Sequence, residues 1–180
     1  MNASSGADRE AAIDRMLARD AIREVLARYA RAIDRADAPL LKSCYFADAI
    51  EEHGSSFTGN AHTYVDVAMP RVLQMGVMQH LLGNSHVDLQ GDVAFVETYI
   101  WTFARFRKDG RDWDTFTGGR LMDRFERRAG DWKIAHRRTI FDWNRDVPAS
   151  EGWCLGYMNP AAPGFRKGTK GDDDPSYERF

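Results

Sequence analysis

Cysteine is scarce in this chain of 180 residues, which holds only Cys44 and Cys154. A disulfide-built scaffold of such length uses more, so both are read as reduced thiols. No run of about 18 apolar residues occurs, and Met1–Arg9 lacks the apolar stretch of a secretory signal. A cytoplasmic location is expected. Charge of one sign is missing too: 25 Lys and Arg against 27 Asp and Glu offer no field for a nucleic-acid backbone or an anionic membrane. Neither is expected as a partner. The phosphate-cradling G-x-G-x-x-G and Walker loops, the G-x-S-x-G elbow and the C-x-x-C pair are absent, so no cofactor is expected. The five histidines, His53, His62, His80, His86 and His136, show no H-x-H or E-x-x-H spacing. His80 and His86 on one strand would stand roughly 20 Å apart, too far to share an ion, and no metal site is expected.

What is present is an amphipathic helix followed by strands. Ile22, Val25, Leu26, Tyr29 and Ile33 recur at three- and four-residue spacing, which predicts a helix over 8–36. Asp37 before Ala38-Pro39 reads as the N-cap of a short second helix ending near Phe46, with Tyr45 on its face. A third helix is expected over 61–77, broken or kinked at Pro70. From His80 the period changes to two. Turns at Gln90-Gly91-Asp92, Lys108-Asp109-Gly110 and Ala129-Gly130-Asp131 cut four antiparallel runs, 80–89, 92–107, 113–127 and 131–145. The fragment 48–53 is expected to add an edge strand. Helices followed by a meander predict an α+β domain, a strongly curved sheet wrapped on the long helix as a cone with one open end.

Residues 1–147 are assigned to this domain and 148–180 to a tail holding four of the six prolines. Trp153, Leu155, Tyr157, Met158 and Phe165 make the tail too apolar for a solvated one, so it is expected over the pocket mouth or against a neighbouring subunit.

With the usual motifs absent, acid–base chemistry remains, and the residues suited to it are Asp34, His80, Tyr29, Tyr45, Glu51 and His53. Periodicity does not select Asp34, which lies about 120° from the centre of the apolar helix face. Trp101, Trp113, Trp132 and Trp143 fall on strands, where packing is the default and one or two are expected to line the cavity. Arg120, Arg124 and Arg138 read mainly as solvated or paired across strands; one turned inward would bind a phenolate or carboxylate.

The order Tyr29-Ala-Arg-Ala-Ile-Asp34-Arg-Ala-Asp37, Phe46-Ala-Asp48-Ala, Gly59, His80-Leu-Leu-Gly-Asn84, Gly91-Asp92-Val-Ala94, Asp123-Arg-Phe-Glu-Arg-Arg and Gly130-Asp-Trp-Lys-Ile134 resembles the SnoaL-like branch of the nuclear transport factor 2 superfamily. The likeness covers about residues 8–145. It implies an NTF2-like, cystatin-like cone; members include scytalone dehydratase, hexachlorocyclohexane dehydrochlorinase and bile-acid dehydratase. It also implies a catalytic dyad of Asp34 and His80, because such members carry an Asp late in the first helix and a His just before the first long strand. The expectation is a lyase expelling water, halide or formaldehyde from a small apolar aromatic or cyclic compound, in the form of a homodimer or homotrimer. Tyr29, Tyr45, His53, Trp101, Arg120 and Trp143 are the expected substrate contacts. The alternatives are an isomerase or cyclase, a non-catalytic small subunit of an aromatic-ring dioxygenase, and a ligand-binding module.

Overall fold

The computed structural model describes residues 6–178, so residues 1–5 of the expected domain and 179–180 of the tail lie outside the described residues. Helix α1 spans Gly6–Arg35 and buries Ala18, Ile22, Val25, Leu26, Tyr29, Ala32 and Ile33, the face its periodicity predicts. It ends where Ala36 turns left-handed (φ 57°) and the Asp37 N–H reaches the Ala32 carbonyl at 2.9 Å. Asp37 caps α2, Ala38–Ser43, accepting from the Leu40 N–H.

Helix α2 stops short of the expected Phe46. The Cys44 carbonyl accepts the Ile134 N–H at 2.9 Å, which docks the chain on the last strand and starts β1, Tyr45–His53, at once. Tyr45 is therefore a strand residue. Nor is β1 an edge: β2, Phe57–Asn60, pairs antiparallel on one side of it and the last strand pairs parallel on the other. A four-residue β2 is too short to announce itself by periodicity. Helix α3, Ala61–Gln74, is capped by Asn60 and runs through Pro70 without a break, ending three residues early. Its loss at Pro70 is limited to one backbone bond.

Strands β3 (Met78–Gln90), β4 (Val93–Lys108), β5 (Arg111–Arg128) and β6 (Asp131–Pro148) form the meander. The sheet order is β2-β1-β6-β5-β4-β3. Asp109-Gly110 and Ala129-Gly130, both with positive φ, make the two-residue turns that right-twisted hairpins require. Irregularities at Leu82/Ser85, Gly118/Gly119 and Arg124/Phe125 bend these long strands around α1 and α3. The predicted cone is the observed one.

Among the described residues, 148–178 of the tail do not line the cavity. The tail straps the outside of the α1 and α3 ends: Arg35 pairs with Asp174 at 2.7 Å, Arg31 with Ser176, and Tyr177 with Asp37. Lys170 donates to the Val72 and Met75 carbonyls at the end of α3. Cys44 is buried, Cys154 exposed, and both are free. No described helix is long and apolar enough to cross a membrane.

Candidate active site

The wide end of the cone holds a cavity of about 410 Å³. Helix α3 lines it with Tyr64, Val67, Ala68, Arg71 and Val72, and β4 with Ile100, Thr102 and Ala104. Strand β5 adds Thr115, Thr117, Gly119 and Leu121, and Phe141, Asn144 and Asp146 of β6 complete the rim. Even-numbered β4 residues point inward because side chains alternate along a strand.

His80 enters from β3 and Asp34 from the last turn of α1. The imidazole Nδ1 lies 2.6 Å from Asp34 Oδ1, and the His80 backbone N–H donates to Oδ2 at 2.9 Å. Strand β3 is an edge, so the outward N–H of His80 has no strand partner, and Asp34 supplies one. A carboxylate only accepts, so Nδ1 carries a proton, and in the neutral ring Nε2 is the nitrogen with the free lone pair. Both side chains are nearly buried, at 12% and 13% exposure. Tyr29 meets the His80 ring edge-on at 6.5 Å.

Below the cavity sits a polar core. Arg137 and Asp123, both with fully buried side chains, form a bidentate pair at 2.6 and 2.7 Å. The Arg137 guanidinium stacks 4.0 Å above the Tyr29 ring. Burial pushes the Tyr29 phenol up to about 12, against the pull of Arg137, and burial and then Glu51 hold Tyr45 well above its ordinary value. Both phenols therefore keep their protons at neutral pH. Tyr45 donates to Glu51 Oε2 at 2.9 Å, and Glu51 Oε1 faces His53 Nδ1 at 3.2 Å.

Of the expected contacts, Tyr29 and His53 line the cavity with His80, whereas Tyr45 lies one layer behind it. Trp101 and Trp143 are corrected. They stand on the outer sheet face, 60% and 42% exposed, packed edge to face at 5.3 Å. Gly118, opposite both, makes room: a Cβ there would lie 2.2 Å from Trp143 Nε1. Arg120 is also outside, where it grips Asp142 through two nitrogens and Glu97 through a third. The same alternation that aims Ile100 and Thr102 inward aims Trp101 out; the sequence shows that the two sets face opposite ways but not which set faces the cavity. Tyr64 and Arg71 were missed because nothing in the sequence showed which face of α3 meets the sheet. Among the described residues, no three His, Cys, Asp or Glu side chains group as a metal site requires.

A family model described as a SnoaL-like domain matches residues 14–138. No curated protein matches the chain in sequence. Among solved structures, a hexachlorocyclohexane dehydrochlorinase, LinA type 2, superposes with a TM-score of 0.71 at 15% identity, covering 83% of this chain and 99% of that one. LinA-type3 from Novosphingobium barchaimii LL02 gives 0.68 at 15% identity, over 75% and 93%. A protein provisionally named a scytalone dehydratase, from Novosphingobium aromaticivorans DSM 12444, gives 0.66 at 16% identity, over 76% and 91%. At such identities the shared property is the fold.

Proposed function

This chain belongs to the SnoaL-like domain family, and we propose that it is a cofactor-independent lyase acting on a small, largely apolar aromatic or cyclic compound. One observation carries the reading: the 2.6 Å contact of His80 Nδ1 with Asp34 Oδ1 on the wall of the cavity. Through Nε2, neutral His80 takes a proton from a carbon made acidic by an adjacent carbonyl or aryl group. Asp34 holds the other ring proton and stabilises the imidazolium that forms. The electron pair left on carbon becomes a double bond and expels water or halide from the neighbouring carbon. Taking the O–H proton of a hydroxymethyl group instead would form the C=O of formaldehyde as the C–C bond breaks, its electron pair passing to the carbonyl- or aryl-stabilised carbon, which takes the proton back from His80. The cavity volume suits one or two rings. Solved neighbours named for dehydrochlorination and scytalone dehydration are in keeping with an elimination. The proposed setting is the breakdown of aromatic compounds in the cytoplasm, by a homodimer or homotrimer.

The test is incubation of the full chain with a panel of aryl diols and β-hydroxy aryl ketones, following unsaturated products and formaldehyde. Turnover should occur in the wild type and vanish in His80→Ala at unchanged thermal stability. Full activity in His80→Ala would overturn the reading. A product with its double bond moved and nothing lost would make the same base that of an isomerase.

A further inference from the structure

A second histidine faces the same cavity, with its own carboxylate behind it. His53 is the last residue of β1, and Glu51, two residues earlier, shares its face of the strand. His53 Nδ1 lies 3.2 Å from Glu51 Oε1, with the Tyr64 hydroxyl at 3.3 Å and Thr139 Oγ1 at 3.5 Å. The ring is stacked on Tyr64 at 5.1 Å and meets the edge of Phe141 at 5.7 Å, so its plane is fixed. Glu51 is fully buried, and its other oxygen is taken by the Tyr45 hydroxyl. The buried guanidinium of Arg137, opposite Glu51 in the β1–β6 ladder, gives Nε and Nη2 to Asp123, makes no ion pair with Glu51, and keeps Nη1 without a hydrogen-bond partner. A carboxylate buried without a guanidinium or ammonium partner of its own is costly to keep, and of the two side chains bonded to it, Tyr45 and His53, His53 is the one that can bring a positive charge.

The sheet order puts β1 and β3 on either side of β6, β5 and β4, so His53 and His80 come from strands four positions apart. The curl of the sheet brings both to the wall of one cavity. Two histidines, each turned by a carboxylate at Nδ1, thus present Nε2 to a bound molecule from different walls.

We infer that His53 is the acid of this site and that the group expelled is an oxygen, an alcohol or ether β to the carbon that His80 deprotonates. The inference rests on His80 being the base. The step balances without oxidant or reductant. The C–H bond breaks toward His80 Nε2, its electron pair forms the new C=C bond, and the C–O bond breaks. The departing oxygen takes the Nε2 proton of the His53 imidazolium, leaving neutral His53 with Nδ1–H on Glu51. The proton gained by His80 returns to His53 through solvent. Hydroxide is a poor leaving group without that proton, whereas chloride leaves unaided, so an acid facing the base has a use only for oxygen. Glu51 is a positioning residue.

The experiment uses 4-hydroxy-4-phenylbutan-2-one and 4-chloro-4-phenylbutan-2-one, which both give benzalacetone, read by its absorbance. His53→Gln should lower the hydroxy-to-chloro ratio of kcat by about 100-fold or more, and Glu51→Gln should lower it in the same sense. His80→Ala should slow both compounds together. An unchanged ratio in His53→Gln overturns the acid assignment, and unslowed turnover in His80→Ala overturns the base reading instead. Should neither probe react, long-range proton–nitrogen NMR of the labelled chain decides independently. Neutral His53 should carry its proton on Nδ1, and Glu51→Gln should weaken that preference. A proton on Nε2, with Nδ1 accepting from Tyr64, would overturn the pair.

Discussion

Asp34 holds His80 twice, with one carboxylate oxygen 2.6 Å from the ring Nδ1 and the other 2.9 Å from the backbone nitrogen. The histidine is fixed in orientation by its ring and in position by its strand. Asp34→Asn keeps the shape but places a donor against one of two N–H groups, which turns the ring to the wrong tautomer or expels it. Turnover on any compound the wild type accepts should fall about 10²- to 10⁴-fold, with an unchanged circular dichroism spectrum. Loss of less than tenfold would leave Asp34 a structural role alone.

Arg137 and Asp123 are a fully buried pair beneath Tyr29. Removing one partner strands a charge. Arg137→Met should therefore cost about 3–5 kcal/mol in urea unfolding. Pairing it with Asp123→Leu should recover much of that loss, since apolar residues of similar volume need no compensation. Equal destabilisation of the single and double variants would contradict this account.

The tail strap depends on Asp174. Burial alone would raise its carboxyl; the hydrogen bonds from the Ser176 hydroxyl, the Thr169 and Ser176 N–H groups and Arg35 override burial and hold it well below the usual range. A depressed carboxylate stabilises the folded state above its unfolded value, and this contribution fades as pH falls through the folded one. The strap should thus stay closed at neutral pH and loosen only in acid below about pH 4. Asp174→Asn should loosen it at pH 7, seen as faster limited proteolysis between Phe165 and Tyr177. Equal cleavage rates in both proteins would rule this out.

On the outer face Leu81 of β3, Tyr99 and Trp101 of β4 and, across Gly118 of β5, Trp143 of β6 expose large apolar surface. A stripe of this kind on a folded protein marks a contact surface, and the expected partner is a second copy of the chain. Trp101→Glu should lower the mass found by sedimentation velocity while leaving turnover within about twofold, the residue being outside the cavity. A monomeric wild type would sink the idea.

The sequence by itself determined the elements, because their signals are local. The 3–4 spacing from Ile22 to Ile33 buries one helix face, and the Gly91, Asp109-Gly110 and Ala129-Gly130 turns fix where each strand reverses. Likeness to known relatives then singled out Asp34 and His80, which periodicity had left at the margin. Tertiary structure alone decided which side of the sheet is the inside. Trp101 and Ile100 are neighbours in sequence and equally apolar, yet curvature set by bulges and by packing on α1 and α3 gives one to solvent and the other to the cavity. It alone also joined Glu51 to Tyr45 across an irregular stretch of β1, His53 to Tyr64 of α3, and the tail to the ends of α1 and α3. Contacts between segments far apart in the chain leave no local period to read, and they exist only once the sheet has closed around the helices.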